Sequence, residues 1–202
     1  MTLQPLPHLF LASTSPRRRQ ILESLNIPFS LINPEVTEAL AEAINIEEVT
    51  MANSLLKARS GMGLVSKETD ILIGSDTLVV LGQQVMGKPE GKQDAIKMLT
   101  QLSGKWHTVV TGIAFVSKKY GEKKVCDVSK IKFKSLTVEQ IADYADTKEP
   151  YDKAGSYAVQ GLGSLLIEKL EGSYTNVMGF PVEKFLIELS LFTGIPLKKW
   201  FS

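Results

Sequence analysis

The sequence predicts an α/β fold in which helices pack on a β-sheet. Short apolar runs bounded by polar turn residues alternate with stretches whose apolar residues recur at helical spacing. Leu9 to Ala12 is a run of the first kind, and Ile21, Leu22 and Leu25 follow it at helical spacing. With 202 residues and 44% hydrophobic content, we expect one domain over residues 1–202, in one or two lobes.

The N-terminal half predicts alternating strands and helices. Ser15 is placed to be the N-cap of the first helix, and Pro16 suits its first position because an N–H is not needed there. Further elements are predicted for a strand at Phe29–Ile32, a helix at 46–60 with its apolar positions at Val49, Ala52, Leu55 and Leu56, a strand at 70–74 that continues extended over 78–81, a turn at Gly82-Gln83 and the end of a hairpin at 87–89.

The C-terminal half continues the mixture. Thr137 and Gln140 have the spacing of a capping box, which predicts a helix start. The other predicted elements are a helix through Ala95 and Leu102 that stops at Ser103-Gly104, strands at 109–116 and 125–133, a strand at Leu165–Ile167 after a glycine-rich segment, and a last helix carrying Phe185, Leu186 and Leu189.

Composition argues against several classes of protein. The 23 basic and 22 acidic residues nearly cancel, so no overall field favours nucleic acid or an anionic membrane. Cys126 is the only cysteine, so no intrachain disulfide can form, and two histidines give no zinc-site spacing. No apolar run has the length of a membrane helix. We expect a cytoplasmic protein.

The segment from Ser13 to Arg19 combines hydroxyls, arginines and a predicted helix start. A helix N-terminus favours anions, and arginine binds phosphate oxygens in bidentate fashion. The segment is therefore a candidate polyphosphate site, although a capped helix with solvated arginines explains it about as well.

Asp76 is the second candidate, because it is placed just beyond an apolar strand, where open α/β sheets bind ligands. Taken alone, Asp76 is more typical of an ordinary aspartate in a turn. In the same way, Lys57 alone is more typical of an exposed lysine on a helix, and Lys88 of an exposed lysine in a turn. Together with Glu38 and the arginines they suggest a site in which carboxylates hold a divalent cation or activate water. The glycine-rich 153–161 segment either forms a plain loop or lets Gln160 meet a base edge.

Taken together, these residues resemble one family, the Maf nucleotide pyrophosphatases. The resemblance rests on segments in the family's order, at residues 11–18, 74–77, 87–89, 102–105 with His107, 111–112, 152–157 with Gln160-Gly161, 172–174 and 177–181. It implies an elongated sheet with flanking helices and a cleft between two lobes, similar to inosine triphosphate pyrophosphatases. It also implies cleavage of a nucleoside triphosphate between the α and β phosphates with Mg²⁺ or Mn²⁺, and a homodimer.

The resemblance assigns roles to residues at matching positions. Asp76 and Glu38 would be catalytic and would hold the metal, and Lys57 and Lys88 would assist at the phosphates. Glu38 is assigned by its spacing from Phe29. Substrate would be bound by Ser13, Ser15, Arg17, Arg18, Thr77, Lys153 and Gln160, with the last two at the base.

Within the family, the pattern is similar to that of the dTTP and UTP subgroup. Arg17, Thr77 and Gln160 match it, whereas Ser75 departs from the alanine that many of its members carry. The implied role is removal of surplus or modified pyrimidine triphosphates. The alternatives are the sister subgroup that acts on 7-methyl-GTP, and a nucleotide-binding regulator of septum formation.

Overall fold

The computed structural model describes residues 6–37 and 45–201 and contains a mixed α/β fold. Its helices, apart from short 3₁₀ turns, are α1 (Pro16–Ser24), α2 (Ile46–Ser60), α3 (Lys92–Leu102), α4 (Val138–Ala145), α5 (Tyr174–Val177) and α6 (Val182–Thr193). Its strands are β1 (Leu9–Ala12), β2 (Phe29–Ile32), β3 (Ile71–Leu81), β4 (Gln84–Met86), β5 (Trp106–Ser117), β6 (Gly121–Phe133) and β7 (Ile167–Glu171). None of these helices is both long and apolar enough to cross a bilayer.

One seven-stranded sheet organises the fold, in the order β2-β1-β3-β5-β6-β7, with β4 paired to β3. β1 pairs with β2 and β3 in parallel, whereas β3, β5, β6 and β7 are antiparallel neighbours. The long strand β3 therefore joins a parallel part of the sheet to an antiparallel part. The expected mixed sheet with flanking helices is confirmed.

The apolar core falls into clusters along these long strands. One lies against α1 and α6 and includes Leu11, Ile73, Phe115 and Phe185. Another lies under α3 and α4 and includes Leu99, Phe133, Ile141 and Tyr157. A third cluster lies under α2 and includes Ala58 and Leu72.

Helix α2 begins and ends as the sequence predicts, but it turns a different face to the sheet. The apolar pattern predicts an inward stripe with Ala52 and Leu56, yet both side chains are exposed. The buried residues are instead Thr50, Asn53, Ser54, Lys57 and Ala58. An inward stripe of small and polar side chains suits a helix that lies directly on backbone and on a charged group.

Two glycines of the sheet allow that close approach. A Cβ added to Gly74 would lie 1.9 Å from the Ser54 carbonyl oxygen, and one added to Gly112 would lie 2.5 Å from the Thr50 carbonyl oxygen. No side chain fits in either space. We call this backbone contact between α2 and Gly74 and Gly112 the glycine seam.

Three local predictions differ from the structure. Ser15 occupies the N-cap position with Pro16 following, but its side chain makes no capping hydrogen bond. The strand predicted at Leu165 begins at Ile167, because residues Gly161–Leu166 form 3₁₀ turns first. The strand predicted at 109–116 begins three residues earlier in the structure, at Trp106. The capping box of Thr137 and Gln140 is present as predicted.

Candidate active site

A cleft of about 610 Å³ opens beside the middle of β3, between the segment after β1 and the segment that follows α4. Every described residue that the sequence analysis nominated lines it, although these residues come from distant parts of the chain. They are Ser13, Ser15, Arg17, Arg18, Lys57, Asp76, Thr77, Lys88, Lys153 and Gln160. Glu38 lies outside the described residues.

Asp76 is the buried anion of this cleft. Its carboxylate accepts a hydrogen bond from Lys57 Nζ at 2.7 Å on Oδ1 and one from Asn53 Nδ2 at 3.1 Å on Oδ2. Lys57 and Asn53 are one helical turn apart on α2, so they point to the same side. The carboxylate is thus held at both oxygens by one helix.

The predicted position of Asp76, just beyond the end of a strand, is wrong in one respect. Asp76 lies inside β3, opposite Gly112 of β5. The parallel pairing with β1 ends at Ala12 opposite Gly74, and the antiparallel pairing with β5 carries the strand onward. Asp76 therefore does lie past the carboxyl end of the parallel part of the sheet, where ligands are expected.

The segment from Ser13 to Arg18 forms one wall. Ser13 Oγ accepts from the Ser15 backbone N–H at 3.2 Å and from Arg18 Nη1 at 3.4 Å. Arg18 also donates from Nε to the Gly179 carbonyl at 2.8 Å and from Nη2 to Thr77 Oγ1 at 3.0 Å. Its guanidinium is consequently fixed in the cleft wall before any ligand binds.

Arg17 and Asp152 meet across the mouth of the cleft. Arg17 Nη1 lies 3.4 Å from Asp152 Oδ2, and Lys153 donates to the other oxygen of the same carboxylate. Burial alone would raise the pKa of Asp152, but the hydrogen bond from Lys153 and the charges of Lys153 and Arg17 outweigh it and lower the pKa. Asp152 is therefore ionised at neutral pH.

The far end of the cleft is lined by the 153–160 segment. The Lys153 ammonium also donates to the Glu149 carbonyl. Gln160 is half-buried, and its amide makes no hydrogen bond with any described residue, so both its donor and its acceptor are available to a ligand. Lys88 follows β4, is exposed, and has no ion-pair partner among the described residues.

Tyr157 supports this end from inside the protein. Its hydroxyl is hydrogen bonded to His107 Nε2 at 2.7 Å, and Phe133 packs edge-on against both rings. Burial lowers the pKa of His107 to about 4 and raises the pKa of Tyr157 far above its ordinary value. Both side chains are neutral at physiological pH.

A metal ion would find limited protein ligands here. In residues 6–37 and 45–201 no three His, Cys, Asp or Glu side chains form a metal-binding group. Mg²⁺, however, commonly uses one or two carboxylates together with substrate phosphates and water. Asp76 is a buried carboxylate within the cleft and fits that requirement.

Sequence reasoning missed several residues that shape this site. Asn53 gave only a weak signal, its spacing of four from Lys57 within a helix. Asp152 belongs to segment 152–157, on which the family resemblance rests, but the resemblance assigned it no role. Thr111 belongs to segment 111–112 of the same resemblance and was likewise given no role. Its contact with Thr77 depends on the pairing of β3 with β5, which no local sequence pattern specifies.

Comparison with known proteins gives consistent matches. Residues 8–192 match a family model described as Maf-like protein. A dTTP/UTP pyrophosphatase of Clostridioides difficile (strain 630) is 39% identical over 198 residues, which is 96% of each chain. A dTTP/UTP pyrophosphatase of Aquifex aeolicus (strain VF5) is 42% identical over 192 residues, covering 92% of this chain and 97% of the relative.

A solved structure supports the fold. The Staphylococcus aureus Ham1 protein superimposes with a TM-score of 0.51 at 12% sequence identity, covering 93% of this chain and 98% of that one. At that identity the likeness concerns the fold alone.

Proposed function

This chain belongs to the Maf-like protein family, and from that membership we propose that it hydrolyses dTTP and UTP to the nucleoside monophosphate and pyrophosphate. Relatives named dTTP/UTP pyrophosphatase align over nearly its full length at about 40% identity. The observation that carries the proposal is the buried Asp76 carboxylate, held by Lys57 and Asn53 in a cleft lined with cations.

The residues of the cleft suit a triphosphate. Its several negative charges need positive charges beside them, which Arg17, Arg18 and Lys88 would supply along the phosphates. This stabilisation must become stronger as negative charge develops on the leaving pyrophosphate. In the proposed reaction Asp76 orients a water molecule towards the α-phosphorus. A bond forms from the water oxygen to that phosphorus as the bond to the bridging oxygen breaks, and the electron pair leaves with pyrophosphate. The proton that the water loses passes by way of the Asp76 carboxylate to solvent.

Lys57 has two tasks in this proposal. It fixes the Asp76 carboxylate through the 2.7 Å hydrogen bond, and its positive charge, in the wall of the cleft, would lie beside the phosphates. At the other end, Gln160 and Lys153 would contact the base. An amide side chain can both donate to and accept from the edge of a pyrimidine.

We also propose a divalent cation, Mg²⁺ or Mn²⁺, held by Asp76 and Glu38 together with the substrate. When bound, it would neutralise charge on the phosphates. The test is pyrophosphate release after removal of metal with EDTA and after stepwise return of Mg²⁺ or Mn²⁺. Full activity in the metal-free protein would exclude this part of the proposal.

The family and the composition support two further proposals. We propose a homodimer, which sedimentation equilibrium tests at several protein concentrations. We propose a cytoplasmic location, in keeping with the single cysteine, Cys126. Fractionation of cells that express a tagged chain tests the location.

The decisive experiment is a panel of triphosphates compared by kcat/KM. We expect dTTP and UTP to exceed the purine triphosphates, with pyrophosphate and not orthophosphate as the product. A wide preference for 7-methyl-GTP would assign the chain to the sister subgroup instead. Tight nucleotide binding with no turnover in the presence of metal would favour the regulatory alternative.

A further inference from the structure

Thr111 is a fully buried residue of β5 that contributes nothing to the lining of the cleft. Its hydroxyl is nevertheless linked to the Arg18 guanidinium through Thr77, which does line the cleft. Thr111 Oγ1 lies 3.1 Å from Thr77 Oγ1, and Thr77 Oγ1 in turn accepts from Arg18 Nη2 at 3.0 Å. The pair of threonines is brought into register by the pairing of β3 with β5.

The direction of each hydrogen bond in this series, from Arg18 through Thr77 and Thr111, can be assigned. Thr111 donates to the Asn176 carbonyl at 2.9 Å, because a carbonyl oxygen can only accept. A hydroxyl has one hydrogen, so Thr111 must accept from Thr77. Thr77 has thereby used its only hydrogen and presents an acceptor to the Arg18 guanidinium, which can only donate.

Asn176, at the far end of this series of hydrogen bonds, is held in place by further contacts. The Asn176 side chain is fully buried, and its Nδ2 donates to the Val109 carbonyl at 3.0 Å and to Ser129 Oγ at 2.9 Å. The same segment supplies the Gly179 carbonyl that accepts from Arg18 Nε. Two of the three Arg18 contacts described above, the direct one to Gly179 and the one through Thr77 and Thr111 to Asn176, therefore depend on the same short segment, residues 176–179.

We propose that Thr111 is a positioning residue for Arg18, acting through Thr77 along this directional relay. Thr77 then serves the site as an oriented acceptor for Arg18, and it has no hydrogen left to donate to a ligand while the relay is intact. The inference rests on the proposed function, because Arg18 is taken to bind the phosphates. Neither threonine takes part in bond making or breaking.

The test replaces Thr111 by valine, which has the same shape and no hydroxyl, and by serine, which keeps the hydroxyl. We expect Thr111→Val to lower kcat/KM for dTTP about tenfold and to weaken binding of inorganic triphosphate, measured by calorimetry, by a similar factor. Thr111→Ser should recover most of both. The control is Ser117→Ala, which removes another buried hydroxyl from β5 that donates to the Glu68 carbonyl, and which should leave both values unchanged.

A double-mutant cycle separates positioning from a general loss of packing. In an Arg18→Ala background, Thr111→Val should have no further effect on kcat/KM or on triphosphate affinity. Equal losses in both backgrounds, or equal losses from the valine and serine variants, would overturn the relay. If the unmodified protein releases no pyrophosphate from dTTP, the proposed function fails, whereas the calorimetric arm still tests the relay.

Discussion

Lys57 and Asp76 form an ion pair at 2.7 Å with 8% and 6% of their side chains exposed. A buried pair of this kind couples stability to activity, because replacing one partner with an uncharged residue takes an opposite charge away from the other, at a cost of about 3–5 kcal/mol. The pair therefore cannot be probed by activity alone.

We expect Asp76→Asn to reduce pyrophosphate release by a factor of about 10³ or more and also to lower the free energy of unfolding. The activity falls because an amide no longer attracts water or a cation as a carboxylate does. Steady-state kinetics and urea denaturation measure the two effects on the same preparation.

The matched variant combines Asp76→Asn with Lys57→Met. Because it replaces the pair with uncharged groups, we expect it to regain stability over Asp76→Asn while remaining inactive. Recovery of activity in the double variant would rule out a chemical role for Asp76.

The glycine seam gives a second prediction. Gly74→Ala places a methyl group within 1.9 Å of the Ser54 carbonyl oxygen, so α2 must move away from the sheet. We expect a loss of about 1–3 kcal/mol in the free energy of unfolding and a larger relative loss of kcat, because Asn53 and Lys57 move with the helix. Gly63→Ala is the control, since a Cβ there meets nothing within 4 Å. Unchanged kcat in Gly74→Ala would show that the seam is not needed to hold Asp76.

His107 predicts a specific dependence of stability on pH. Its pKa is lowered from 6.5 to about 4 by burial, so the unfolded chain binds a proton at this residue that the folded protein does not. The free energy of unfolding should therefore decrease as pH falls from 6.5 to 4, by about 3 kcal/mol at most from this residue, and the contribution is fully present above pH 6.5. Denaturation of the unmodified protein and of His107→Gln at each pH provides the comparison. Parallel pH profiles would contradict the assignment.

Gln160 is the residue whose loss should affect base recognition most directly. Gln160→Ala is expected to lower kcat/KM for UTP and dTTP by about 10–100-fold, because a base edge bound by an amide is left without its partner. Gln83→Ala, in the exposed turn between β3 and β4, is the control. Equal kinetics for Gln160→Ala would move the base-binding site elsewhere in the cleft.

The sequence predicted most elements because their patterns are local. The helix at Thr137 follows from a capping box, and the hairpin after β3 follows from the turn at Gly82. Helix α2 shows the limit of that reasoning. Its extent was predicted correctly, but its inward face was not, because burial there is governed by Gly74, Gly112 and Asp76 on strands distant in sequence.

The candidate site was likewise predicted from the sequence only in part. Residues in short segments, such as Arg18 and Thr77, were nominated from the sequence and are brought to one cleft in the structure. Their mutual contacts required the fold: nothing near Thr111 in the sequence indicates that its hydroxyl leads to Arg18. Glu38 lies outside the described residues and stays a prediction.

The glycine seam has a consequence for how this protein can change over time or by design. At Gly74 and Gly112 the helix lies against the sheet with no side chain between them, so none can be trimmed there and none can be added to retune the spacing. The end of the cleft that holds Asp76 therefore has little room for variation. At the other end of the cleft, Gln160 is half-buried and makes no hydrogen bond with a described residue, so its side chain can be exchanged without breaking one. Under the proposed function, new substrate preferences in this scaffold are therefore most accessible where the base would bind, with the phosphate chemistry inherited unchanged.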